Sequence, residues 1–483
     1  MYNSEELSSV DKMKEECGVF GIFSTRERQD LSLLTYFGLY ALQHRGQESA
    51  GIALCDGYDV KVHKGMGLVS EVFKAEDLKQ LTGNISIGHV RYSTTGSSLI
   101  TNAQPLVARY LGGPIALAHN GNLVNTDHLR KELEQKGTAF LTSIDSEVII
   151  NLIAQQVDKP TVEDGVIACI SKLEGAYSLV IMTQDKLIGV RDPHGIRPLC
   201  LGQMADGSYV LSSETCALDV VGAKLIRDVG PGEVVVINKE GYKVIPTTSP
   251  RRASCVFEYI YFARPDSTID GINVHLARQR MGQTLAGEYP IEADIVVPVP
   301  DSGISAAMGF SQATGIPYEN GLMKNRYVGR TFIQPKQELR EFAVKLKLNP
   351  IREIVEGKKV VLIDDSIVRG TTSGKIVQLL REAGAKEVHM YITSPPISHP
   401  CFYGIDTSIR KELIASSHTV EEIRSVIKAD SLCYLSIEGL MKSVGLEKKE
   451  LCLACFNGCY AVKASENIGV DKYILEARRD KSE

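Results

Sequence analysis

Two carboxylates stand side by side at Asp364 and Asp365, directly after the apolar run Val360-Val361-Leu362-Ile363 and directly before Ser366. A short loop with Arg369, Gly370, Thr371 and Thr372 follows, and then a helical pattern over 373–384. Adjacent carboxylates repel and need a partner. The hydroxyls of a sugar or a hard cation supply one. Free N–H groups of the loop and a helix N-terminus attract a phosphate, the hydroxyls of Ser366, Thr371 and Thr372 add donors, and Gly370 lets the backbone come close. A helix cap would explain one acid here but not two. The order strand, acid pair, small-residue loop, helix therefore reads as a site for a phosphorylated sugar. A second strand end, Pro298-Val299-Pro300-Asp301-Ser302-Gly303, offers N–H groups and a hydroxyl where a parallel sheet binds ligands. Taken with the first loop it fits a pyrophosphate. Between them, Lys324, Arg326 and Arg330 with Gly329 read as a mobile basic lid.

A different chemistry is available near the start. Cys17 follows a leader containing Glu5, Glu6, Asp11, Glu15 and Glu16 and opens the apolar stretch Gly18-Val19-Phe20-Gly21. Removal of the leader would give Cys17 a free α-amine, which titrates near ~7.7–8.0 and can act as general base for its own thiol. Arg91 is suited to forked binding of a carboxylate. Asn120 and Gly121, in His119-Asn120-Gly121-Asn122, bring a side-chain amide and a glycine N–H where an oxyanion hole could form. Asp145 offers a carboxylate for an amino-acid ammonium. Taken one at a time, these fragments also suit a core cysteine, a turn and a helix cap.

Eleven cysteines, an odd number, suggest thiols, ligands or a nucleophile more than disulfides. Cys452 and Cys455 form a C-x-x-C pair, with Cys459 four residues on and Cys255 and Cys401 elsewhere in the same half. A redox pair, a zinc site or an iron–sulfur cluster would each use such thiols.

These residues need elements to hold them. At 483 residues, with 43% hydrophobic and 23% charged positions, the chain has the composition of an ordinary soluble protein of two or more domains. A net charge of −5 and the lack of a long basic block give no pull toward nucleic acid. No apolar run reaches the length of a membrane span, and the acidic leader is no secretory signal, so a cytoplasmic, reducing setting is expected. The first half alternates short strands (18–23, 51–56, 60–65, 85–93, 114–121, 176–192 and 233–241) with helices over 125–136 and 146–157, for which Asn125 or Thr126 and Asp145 are candidate caps. That mixture predicts an α+β domain with antiparallel sheets. The polar stretch 247–255 reads as a linker. Beyond it, helices and strands alternate in the manner of βαβ units on a parallel sheet.

The loop 359–373 resembles the signature of the phosphoribosyltransferase family. The series Cys17-Gly18-Val19-Phe20-Gly21-Ile22, 42–49, 89–96, 118–122 and 143–146 resembles class II glutamine amidotransferases. Both together, with 255–267 and the lid 324–333, resemble the glutamine phosphoribosylpyrophosphate amidotransferase (amidophosphoribosyltransferase) family, in its iron–sulfur branch. The resemblance implies an N-terminal-nucleophile αββα sandwich over 17–246, made by removal of a propeptide, 1–16. It implies a type I phosphoribosyltransferase domain with a mainly parallel sheet and a C-terminal cluster-binding segment over 256–470. It implies that Cys17 attacks glutamine, Asn120 and Gly121 stabilise the oxyanion, Arg91 holds the α-carboxylate and Asp145 the α-ammonium. Phosphoribosylpyrophosphate would meet Asp301, Ser302, Gly303, Lys324, Arg326, Arg330, Asp364, Asp365, Ser366, Arg369, Gly370, Thr371 and Thr372. Magnesium, one per subunit, would sit near Ser302, Asp364 and Asp365, and one [4Fe–4S] cluster per subunit on Cys255, Cys401, Cys452 and Cys455. Cys459 falls outside that set. Purine nucleotide inhibitors (AMP, GMP, ADP or GDP) and a homotetramer are also implied, with no nucleic acid or membrane partner. The expected reaction opens purine synthesis, with ammonia passing between the two sites by a dry internal path. The alternative is a nucleotide-sensing regulator that keeps a phosphoribosyltransferase fold only for binding.

Overall fold

The computed structural model describes residues 17–26, 28–92, 96–248, 251–325, 348–405, 407, 410–462 and 475. The leader, Ser93–Thr95 and most of the lid, including Arg326 and Arg330, lie outside the described residues.

Val-, Ile- and Leu-rich segments of the first half form two antiparallel sheets. The first runs Ala223–Asp228, Cys200–Met204, Tyr209–Ser212, Gly18–Phe23, Ile85–Arg91, Ser49–Cys55, Val60–Met66. The second runs Gly241–Pro246, Glu233–Asn238, Leu187–Arg191, Gly175–Met182, Gly113–Leu123, Leu106–Tyr110. Val19, Phe23, Ile87, Ala116, Ala118, Val180 and Leu211 interlock between the sheets. Helices Leu31–Ala41 and Thr215–Val220 pack outside the first sheet. Helices Thr126–Gln135, Asp145–Ala154 and Val162–Ile170 pack outside the second. Layers on both sides explain why the central strands Gly18–Phe23 and Gly175–Met182 are buried at every position and read as unbroken apolar runs. This is the αββα sandwich.

The second half builds a four-stranded parallel sheet in the order Ile295–Pro298, Lys359–Asp364, Glu387–Ile392, Ser431–Tyr434. Helices Val274–Glu288, Ile304–Thr314 and Ile437–Val444 cover one face. Helices Thr371–Glu382 and Val420–Ile427 cover the other. Two of the expected ligand loops thus leave neighbouring strands at their C-terminal ends, Pro298 standing beside Ile363.

Three sequence expectations change. Asp145 does not cap its helix: Ile144 holds the cap position, and the Asp145 carboxylate turns inward to accept the Leu123 N–H at 3.1 Å. The stretch 247–255 is not a free linker throughout, because Ser254–Cys255 is buried and pairs in parallel with Leu451–Cys452. The base of the lid is a hairpin, Leu322–Lys324 against Leu348–Pro350. Each depends on a partner distant in sequence, which local pattern does not report.

Candidate active site

Cys17 is buried just before the first strand, and its thiol donates to the Tyr92 carbonyl at 3.3 Å. Burial pushes the thiol up to about 11; the Tyr92 contact and the Arg91 charge oppose the rise, while Glu48 and Asp145 add to it. Cys17, Arg91 and Asp145 therefore share one electrostatic neighbourhood. Arg91 ends its strand with the side chain inside the protein, donating to the Ser97 carbonyl at 3.3 Å. Asn120 is fully buried on Gly113–Leu123, and neither its Nδ2 nor its Oδ1 has a partner among the described residues. Such an orphaned amide costs ~1–3 kcal/mol unless a ligand satisfies it. Its neighbour Gly121 has φ +139°, and a Cβ there would stand 2.0 Å from the Ala176 carbonyl oxygen, so only glycine fits. A buried side-chain amide next to a glycine N–H is the kind of donor pair an oxyanion hole uses.

Asp145 is tied at both oxygens. One accepts from Leu123 N; the other lies 3.5 Å from His119 Nδ1 and 3.4 Å from Ser146 Oγ. Burial alone would raise this carboxyl, but His119 and the Leu123 and Ser146 N–H groups hold it below its ordinary value. It is an anion able to bind a cation. His119, and His89 beneath it, carried no role in the sequence reading. Both became visible only when the second sheet was laid against the first.

In the second half, Asp364 and Asp365 are buried at the end of their strand. Asp365 N donates to Asp364 Oδ1 at 2.9 Å, and Ser366 Oγ donates to Asp365 Oδ2 at 2.5 Å. Ser302 Oγ reaches Asp364 Oδ1 at 3.4 Å, so the two loops meet as expected. Gly303 lies under the strand end, where a Cβ would be 2.3 Å from the Ile363 carbonyl oxygen. Lys324 binds Asp301 at 2.6 Å, with both side chains largely exposed. Gly370, at φ +80°, caps helix Thr371–Glu382, whose first turn carries Thr371 and Thr372. Arg369 pairs with Glu412. Among the described residues no three His, Cys, Asp or Glu side chains lie close enough to hold an ion by themselves. Two carboxylates and a hydroxyl fit magnesium all the same, since that ion takes one or two carboxylates and completes its shell with substrate phosphate and water.

Cys255 lies opposite Cys452 in parallel register, and Cys401 Sγ accepts the Tyr403 N–H at 3.4 Å. Burial raises Cys255, Cys452 and Cys455, Cys452 to about 12, and the charges of Cys452, Cys255 and Cys401 raise Cys455 further. The four thiols thus share one electrostatic neighbourhood, with the Arg197 guanidinium favouring the thiolates of Cys255 and Cys452. Soft thiolates suit either zinc or an iron–sulfur cluster, and among the described residues no three of these side chains are grouped closely enough to hold an ion as they stand. Cys459 is exposed, with its thiol 3.8 Å from the Asn457 carbonyl.

The segment carrying Cys401 also touches the first pocket. Asn122 Nδ2 donates to the Phe402 carbonyl at 3.0 Å, Arg197 donates to the Tyr403 carbonyl through Nε at 3.1 Å, and a Cβ on Gly404 would lie 3.4 Å from the Gly121 carbonyl carbon. Glu214 accepts from Ser267 Oγ and Arg264 N, meets His44 Nε2 at 2.7 Å, and forms an ion pair with Arg45, which also pairs with Glu258 at 2.6 Å. Nothing in the local pattern of 42–49 or 255–267 marks Arg45, Glu258 or Arg264 as partners of a distant carboxylate or guanidinium.

Comparison with known proteins agrees with both halves. A glutamine amidotransferase domain family matches residues 89–220, and a phosphoribosyl transferase domain family matches residues 272–396. A Synechocystis protein named amidophosphoribosyltransferase is 54% identical over 472 residues, covering 97% of this chain and 95% of its own length. A Bacillus subtilis protein of the same name is 55% identical over 460 residues, 94% and 96% respectively. A solved structure described as glutamine phosphoribosylpyrophosphate (PRPP) amidotransferase from B. subtilis complexed with ADP and GMP superposes with a TM-score of 0.88 at 54% identity, over 93% of this chain and 98% of that one. Another, described as the allosteric regulatory enzyme of purine biosynthesis, gives 0.89 at 54% identity, over 93% and 97%.

Proposed function

This chain belongs to the amidophosphoribosyltransferase family, and from that premise we propose which of its residues carry each step. It is an enzyme: it converts phosphoribosylpyrophosphate and glutamine to phosphoribosylamine, glutamate and pyrophosphate, the first step of purine biosynthesis. The regulator alternative is therefore set aside.

Arg91 and Asp145 hold the two ends of the amino-acid backbone of glutamine, which places its amide at Cys17. The sulfur adds to the amide carbon while the α-amine, freed by removal of residues 1–16, takes the thiol proton. Charge that builds on the amide oxygen meets the Asn120 side chain and the Gly121 N–H. Ammonia leaves with the proton returned by the α-amine, and water then cleaves the thioester to give glutamate. In the second site Asp364 and Asp365 orient the ribose, while the first-turn N–H groups and hydroxyls of Thr371 and Thr372 hold the 5-phosphate. Asp301–Gly303 and Lys324 face the pyrophosphate, with Arg326, Arg330 and Arg369 as further cations. Ser302, Asp364 and Asp365 would hold magnesium, which would neutralise charge on the departing pyrophosphate.

The boundaries 17–246 and 256–470, a [4Fe–4S] cluster on Cys255, Cys401, Cys452 and Cys455, feedback by purine nucleotides and a homotetramer belong to the same proposal. When bound, such a cluster ties the C-terminal segment to the domain. No helix among the described residues is long and apolar enough to cross a membrane, and a cytoplasmic enzyme is proposed.

The buried Asn120 amide, unpartnered beside a position that only glycine fills, is the observation that carries the assignment of roles. Cys17→Ala and Asn120→Ala should lower glutamine-dependent phosphoribosylamine formation by about 100-fold or more, while added ammonium still supports the second site in both variants. Loss of the ammonia-dependent reaction together with the glutamine-dependent one would count against it.

A further inference from the structure

A carboxylate selects an ammonium group only when its plane is held, because the Asp side-chain torsion next to the carboxyl is broad and soft. The hydrogen bonds around Asp145 indicate what holds it. His119 N donates to Gln104 Oε1 at 2.8 Å, and a backbone N–H can only donate, so the other end of the Gln104 amide is its NH2. That NH2 donates to Ser146 Oγ at 3.1 Å. Ser146 has one proton left to give, and the Asp145 carboxylate, 3.4 Å away, accepts it. His119 Nδ1, 3.1 Å from Ser146 Oγ and 3.5 Å from Asp145 Oδ1, must then carry the proton. Its Nε2 is buried and has no partner among the described residues. His89 fixes the backbone of the same residue: its Nε2–H donates to the His119 carbonyl at 2.9 Å, bridging the two sheets, and burial keeps the ring neutral.

We propose that His119 is a positioning residue for substrate selection, holding with Ser146 one face of the Asp145 carboxylate so that the other meets the α-ammonium of glutamine. This rests on the reading that Asp145 binds that ammonium. The residue then acts on the choice between glutamine and an amide that lacks the α-amino group, and not on cleavage itself.

The test uses the full-length, matured enzyme with L-glutamine and with glutaramate, the same amide without the α-amino group. His119→Gln puts its amide nitrogen at the Nε2 position and removes the donor toward Asp145; His119→Asn keeps a donor at the Nδ1 position. The expected result for H119Q is a KM for glutamine raised about ten-fold, the loss of one charge-assisted hydrogen bond, with kcat within about two-fold. Glutaramate hydrolysis should be unchanged and H119N should stay near the parent. Ammonia-dependent activity of each preparation reports that it is folded. The proposal is overturned if H119Q weakens both amides alike, or changes neither. Asp145→Asn is run in parallel. If D145N keeps the preference for glutamine, the ammonium reading itself fails; if D145N loses it and H119Q keeps it, only the role of His119 fails.

Discussion

Single residues decide whether this chain can use glutamine at all. The sequence singles out Cys17 by its place behind an acidic leader and before an apolar strand, and Asn120, Gly121 and Asp145 by their residue types. Their burial and the orphaned amide were not legible, since both depend on the facing sheet. With the leader attached, burial holds the thiol near 11, so the reactive thiolate is scarce at neutral pH and increases as pH rises. Iodoacetamide labelling of Cys17 in the uncleaved chain should therefore accelerate about ten-fold per pH unit from about pH 7 to 10. In the cleaved chain the rate should instead follow a group titrating near ~7.7–8.0. Identical profiles for the two forms would remove the α-amine from the mechanism.

At the scale of elements, the strands Gly18–Phe23 and Val60–Met66 and the helices Thr126–Gln135 and Asp145–Ala154 were read from the sequence close to their ends, whereas the helices Leu31–Ala41, Val162–Ile170, Val420–Ile427 and Ile437–Val444 were not. Short segments were also missed. The two-residue strand at Ser254–Cys255, the π-helical turn Glu258–Phe262 and the strand Ser431–Tyr434 form because of what they pack against, and carry little local signal. The strand Gly113–Leu123 shows how an element serves the site: its register with Gly175–Met182 sets Gly121 against Tyr177 and forces the positive φ. Gly121→Ala should cost several-fold more than strain alone, because the Cβ meets a carbonyl oxygen at 2.0 Å that cannot move without breaking the ladder. Gly137→Ala is the control, with φ +86° and open space around it; it should cost about 1 kcal/mol. Urea unfolding of the two variants, read beside their glutaminase rates, checks the contrast. Equal costs would mean that the register around Gly121 is not as tight as described.

In the whole molecule, the parts are joined by buried ions more than by linker length. Arg191 of the sandwich grips Asp270 of the hairpin Thr268–Asn273 at 2.7 Å, and Arg252 adds a second contact at 2.9 Å. Burial would raise the Asp270 carboxyl, but Arg191 overrides it and holds it at about 2. A carboxyl lowered in the folded state stabilises it above its ordinary value and stops doing so as pH falls through the lowered one. Asp270 thus contributes fully above about pH 4 and loses its contribution toward about pH 2. Asp270→Asn should cost ~3–5 kcal/mol at neutral pH, the effect of stranding a buried guanidinium, and should flatten the acid limb of the stability curve. A cost below about 1 kcal/mol would leave the joint without its clamp. The sequence showed two chemistries in one chain; it gave no sign of Arg45, Glu214, Glu258 or Asp270 as the seam, because a buried ion pair across distant segments has no spacing to read. The central claim is that a sulfur and its own amino group, exposed together by loss of the leader, release the nitrogen used at the acid-pair loop. Intact-mass measurement of the fully active enzyme tests it most directly. The fully active chain should begin at Cys17; fully active protein that still begins at Met1 would rule the mechanism out.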